Sequence, residues 1–115
     1  MTSRAALTRR SHPGILERIL IRHIVFFSAR RREDVDAVRE GLSRLATIPH
    51  STAFEVSLNR KVDPLGDEID VVVYAEFPDE QALAAYKAHP VYGETTKAVR
   101  PLRELRFSAD VTAAS

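Results

Sequence analysis

The chain has 115 residues, 44% hydrophobic and 29% charged, the size and make-up of one globular domain rather than of a disordered chain. Its formal net charge is +1, and Arg4, Arg9, Arg10 and Arg18 all fall at the start, so the remainder lacks the concentrated basic face that nucleic acid binding needs. The absence of cysteine excludes disulfides and thiolate metal sites and suits a reducing cytoplasm, and no apolar run approaches the roughly 18 residues of a membrane span.

Residues 1–18, MTSRAALTRRSHPGILER, carry arginine, serine and threonine with no acid before Glu17. They read as a flexible N-terminal tail, with a transit-like peptide or a start codon assigned too far upstream as alternatives, and His12 within them is given no role. The folded domain is expected over 19–115. It begins with ILIRHIVFFSA (Ile19–Ala29), whose β-branched and aromatic content predicts a strand. His23, Val25 and Phe27 share one face and Ile24 and Phe26 the other, so this strand needs cover on both sides. After the RRRED turn, Val35, Val38, Leu42 and Leu45 recur at helical spacing, with Asp34 and Asp36 at the positive dipole end and Pro49 beyond the last turn.

STAFEVSLN (Ser51–Asn59) alternates as a strand, with Phe54, Val56 and Leu58 on one face. The polar NRKVDPLGDE is a long hairpin connection, and IDVVVYAEF (Ile69–Phe77) returns as a strand on which the facing of Tyr74 is undecided. Asp79 then caps a helix carrying Leu83 and Tyr86. His89-Pro90 breaks it, because the residue before a proline avoids the helical region and proline suits a new first turn. A second short helix runs from Val91 to about Arg100, and LRELRFSADV closes as a strand with Leu105, Phe107, Ala109 and Val111 alternating.

The order β-α-β-β-α-β, with the second helix bent or doubled, predicts an α+β, ferredoxin-like domain: a four-stranded antiparallel sheet with helices on one face. Ile24, Phe26 and their neighbours would then form an apolar patch on the other face. A homodimer packed through its sheet faces covers such a patch.

The stretches IRHIVFF, DVVVYAEF and AYKAHPVYGE…VRPL resemble the stress-responsive A/B barrel (Dabb), or dimeric α/β-barrel, family from Ile21 to about Val111. The resemblance implies a homodimer with a pocket between helices and sheet in each subunit. In a plant polyketide cyclase of this family, which works without metal or organic cofactor, Tyr86 and His23 match a tyrosine before the His-Pro turn and a first-strand histidine. The position of that enzyme's catalytic histidine is Tyr92 here. A phenol with a reference pKa near ~10 does not replace an imidazole near ~6.5 as a base at neutral pH, so the cyclase mechanism does not carry over.

His23 reads either as a core histidine satisfied by a partner such as a tyrosine hydroxyl or as a polar handle facing a pocket. Tyr86 and Tyr92 read as amphipathic core aromatics or as acids. His89 reads as a turn residue bonded to a nearby carbonyl in preference to a catalyst. His23, Tyr86 and Tyr92 are the catalytic candidates; His23, Val25, Phe27, Tyr86, His89 and Tyr92 are the candidate ligand-binding set. No metal motif, phosphate loop or nucleophile turn is found, and no cofactor is expected. The expected function is binding of a small apolar or aromatic molecule by a cytoplasmic dimer. The alternatives are a cofactor-free cyclase-like lyase or isomerase and a structural, stress-associated dimer without ligand.

Overall fold

In the computed structural model, which describes residues 20–114, the β-branched and aromatic run near the start forms strand β1 (Ile21–Ala29). The expected tail over 1–18 lies outside the described residues. A 3-10 turn at Arg32–Asp34 leads into helix α1 (Val35–Ser43), and a second 3-10 turn (Arg44–Thr47) extends it. β2 (Ala53–Leu58) and β3 (Val71–Phe77) pair as a long hairpin. Its connection is folded back by Asn59, whose side-chain amide donates to the Gly66 and Ile69 carbonyls at 2.8 and 2.7 Å. Two helices, α2 (Glu80–Ala88) and α3 (Pro90–Val99), follow in direct succession before β4 (Arg103–Thr112).

The sheet runs β2-β3-β1-β4 with every pair antiparallel, the expected ferredoxin-like arrangement. Alternation sets the two faces. Ile21, His23, Val25 and Phe27 of β1, with Val71, Val73, Ala75 and Phe77 of β3, point to the helical side and are buried. Val38 and Leu42 from α1, Leu83 and Tyr86 from α2 and Val99 from α3 complete this core. Gly41 sits inside α1 at a cost of about 1 kcal/mol against alanine. Its lack of a side chain allows α1 and α3 to approach, since a Cβ there would lie 3.0 Å from Cγ2 of Val99.

On the opposite face, register places Ile24 beside Tyr74 and Ala109, Phe26 beside Val72 and Phe107, and Arg22 beside Glu76 and Val111. Phe107 is 56% exposed and Val111 43%, the uncovered apolar surface anticipated from the two-sided β1. Tyr74 also lies on this face, where its hydroxyl donates to Glu76 at 2.6 Å; that bond, first, raises the phenol above its ordinary pKa.

Asp79 caps α2 as expected, its carboxylate accepting from the Ala82 N–H at 2.8 Å. Leu42 is almost wholly enclosed. Replacing Leu42 by alanine is expected to cost about 2–5 kcal/mol. Asp79→Ala is expected to cost only about 1 kcal/mol. Urea unfolding of the two variants measures both, and equal losses would contradict this packing.

Candidate functional site

The site starts from an antiparallel register. His23 stands opposite Asp110 across the β1–β4 pair, both on the helical side, and Nδ1 lies 2.5 Å from the Asp110 carboxylate. The imidazole is 1% exposed, so its ring nitrogens need protein partners. A carboxylate only accepts, so Nδ1 carries the proton and donates, and in the neutral ring Nε2 is left as the acceptor. The partner expected for this histidine, a tyrosine hydroxyl, is thus replaced by an aspartate. Lys87 on α2 places its ammonium 3.9 Å from the other carboxylate oxygen.

Aromatic rings wall the imidazole. Phe77 and Tyr86 meet it edge-on at centroid distances of 6.1 and 5.9 Å, and Tyr86 in turn packs against Tyr92 at 5.3 Å. Arg106, two positions along β4's helical face from Ser108 and four from Asp110, donates a long hydrogen bond of 3.4 Å to the Tyr92 hydroxyl. Its guanidinium carbon lies 5.9 Å from the centre of the Phe27 ring. Burial, with the neighbouring Tyr92 adding to it, pushes the Tyr86 phenol well above its ordinary pKa; Arg106 pulls weakly the other way.

His23, Val25, Phe27, Tyr86 and Tyr92 therefore line one small cavity of about 20 Å³, room for about one water. The same cavity is bounded by Arg106 and Thr96, which sequence reasoning did not name. Through Phe27, Leu42, Tyr92, Thr96 and Arg106 it adjoins an outer groove of about 310 Å³ that also takes in Val99, Arg100 and Arg103. None of the sequence candidates lines the broad, charged depression of about 1040 Å³ around the Lys61–Asp70 ion pair.

His89 is placed elsewhere. It is the residue between α2 and α3, extended at φ −67° and ψ 141°, and its Nδ1 accepts from the Val91 N–H at 3.1 Å. The expected bond to a carbonyl is replaced by a cap of α3, with Pro90 in the first turn. The His50 ring approaches it to 6.3 Å, but no group of three His, Asp or Glu side chains that could hold a metal ion occurs among the described residues.

Asp110 is 37% exposed on its side chain, so Asp110→Ala is expected to lower stability by about 1 kcal/mol, the low end for an orphaned buried donor. It should also erase the excess of the Nδ1–H tautomer of His23 in long-range ¹⁵N–¹H spectra, and an unchanged tautomer ratio would show that Asp110 does not set the ring. Tyr86 supplies a pH test. Its folded pKa lies above the unfolded one, so the difference leaves stability untouched below about pH 10, and stability falls as pH rises further because the unfolded chain loses its proton first. Tyr86→Phe should flatten that alkaline decline in urea titrations between pH 9 and 11.

The chain matches the model of the stress responsive A/B barrel domain over residues 21–113. No curated protein matches it. Among solved structures, it is similar to a dimeric protein of ferredoxin-like fold from Bacteroides fragilis NCTC 9343, at 24% identity over 82% of this chain and 96% of that one, with a TM-score of 0.68. A dimeric ferredoxin-like protein from Thermobifida fusca YX is 23% identical over 83% and 92% of the two chains, with a TM-score of 0.70. A Dabb family protein of ferredoxin-like fold from Mesorhizobium loti MAFF303099 is 22% identical over 84% and 99%, with a TM-score of 0.71. With its sheet order, its paired helices and this near-complete match, the chain belongs to the stress-responsive A/B barrel domain family.

Proposed function

We propose that the chain works as a homodimer that binds a small molecule with an apolar or aromatic body between its helices and its sheet. The observation that carries this reading is convergence. A buried imidazole, two phenols and a guanidinium, the few polar groups a ligand site needs, meet at a cavity that continues into an apolar-floored groove. The inner cavity is nearly filled by side chains, so the body of the ligand occupies the groove, with Tyr92 and Arg106 between the two spaces.

The uncovered sheet face supports the dimer. Ile24, Phe26, Val72, Phe107 and Val111 form a continuous apolar strip across three strands, and two-fold packing of one such face on another buries both at once. The proteins of like fold described above as dimeric support a dimer. No helix among the described residues is long and apolar enough to cross a membrane, and a cytoplasmic setting suits a chain without cysteine.

The short His23–Asp110 contact favours a second reading, proton transfer. With Nδ1 held by the carboxylate, Nε2 is the ring's basic atom. Where Tyr92 swings aside and an acidic C–H beside a ligand carbonyl enters the inner cavity, Nε2 would take the proton while the electron pair moves onto the carbonyl oxygen, towards Arg106. This base differs from that of the cyclase, whose position is Tyr92 here.

Native mass spectrometry of the purified protein is expected to give a dimer carrying a discrete small molecule, which denaturation releases. Ile24→Asp and Phe107→Lys should each yield monomer with native-like circular dichroism. Dimers that persist in both variants would refute the sheet-to-sheet interface, and a ligand-free dimer would leave a structural protein whose interior is filled by its own side chains.

A further inference from the structure

We infer that the ligand of the outer groove is a carboxylate, a small acid whose aromatic or apolar body lies against Tyr92 and Thr96 over the edge of Phe27 while its charged end is held by Arg103 and Arg106. The inference rests on the binding reading above and adds the chemical class of the ligand.

Charge is the first argument. Arg100, Arg103 and Arg106 all line the groove, and no aspartate or glutamate does. Arg30, Arg31, Arg39 and Arg44 each have a carboxylate within 4.0 Å, whereas these three, like the scattered Arg22, Arg32 and Arg60, have none among the described residues. An unpaired arginine is ordinary on a surface. Three of them converging on one concave, apolar-floored space are not explained by solvation alone, because guanidiniums repel one another and gain from a shared anion.

The second argument is the state of Arg106. Its one hydrogen bond to a side chain among the described residues is the 3.4 Å contact to the neutral Tyr92 hydroxyl, which is long for such a bond. Its guanidinium is held over the Phe27 ring, so the flat donor fork is already placed at the border between groove and cavity. A carboxylate takes two parallel N–H bonds from such a fork and makes a far stronger contact than a phenol does. Exchange of Tyr92 for the ligand frees the phenol that lies between the groove and His23. Position along the strand supports a shared grip: the register shift between Phe27 and Ala29 puts Arg103 opposite Ala29 and Arg106 opposite Phe27, both reaching the same groove.

Isothermal titration with 2-naphthoate and its neutral isostere 2-naphthamide tests this on the full-length protein. The acid is expected to bind about tenfold or more tightly than the amide at low ionic strength. That preference should shrink in 0.5 M salt and vanish in Arg106→Gln and Arg103→Gln, both checked for folding by circular dichroism, as the affinity for the acid falls to that for the amide. Equal affinity for acid and amide would overturn the anionic ligand and leave the binding pocket standing. Failure of both probes to bind the wild-type protein would overturn the two together.

Discussion

The whole arrangement depends on a strand that is apolar on both faces but has helices on only one. β1 sits inside the sheet between β3 and β4, and its residues alternate between a helix-packed core and an open surface. Burial of Ile21, Val25 and Phe27 under α1, α2 and α3 supplies the main driving force within one chain, at about 25 cal/mol for each Å² of apolar surface removed from water. The other face is left only partly covered by the chain itself. Fold stability and an open apolar surface thereby come from the same nine residues.

The same strand carries the site. His23 interrupts the core parity of β1, and a neutral imidazole costs little there only if both ring nitrogens find suitable surroundings. Asp110 satisfies Nδ1 from the neighbouring strand, and the aromatic enclosure of Phe77 and Tyr86 keeps water from the ring edge. A polar pair thus occupies the boundary between the sheet's interior and its β4 edge. The edge strand contributes charged residues, Arg106 and Asp110, to a side that the central strands fill with hydrocarbon.

The parts of this picture that were legible in the sequence are those set by near neighbours in the chain. The 35/38/42/45 spacing marks α1, Asp79 marks the start of α2, and His89-Pro90 marks the break, because each signal lies within one turn of the structure it specifies. β1's parity likewise placed His23, Val25 and Phe27 together. Asp110 and Arg106 escaped, although the alternation of β4 was visible, because apolar Phe107, Ala109 and Val111 draw attention to the wrong parity. They line the open face, and the polar residues between them point to the helices. Only the pairing of β4 against β1 reveals this, and that pairing is not a local property. The facing of Tyr74 stays open in the sequence for the same reason: Val72 and Glu76 flank it on a face that the chain's own helices leave uncovered.

The strand order has a consequence for how the molecule comes into being. Both neighbours of β1 are remote in sequence, and His23 and Asp110 are 87 residues apart. β1 therefore gains no sheet partner from a local hairpin; the one hairpin among the described residues, β2–β3, forms without it. Loop-closure entropy has to be overcome before these pairings stabilise anything, which slows folding relative to a helical domain of equal size. On the ribosome, β1 emerges ahead of the other described strands and waits for β3, and then for β4, to enclose it. During that interval its two apolar faces and both hydrogen-bonding edges are exposed, making it the segment of the nascent chain most in need of protection from aggregation.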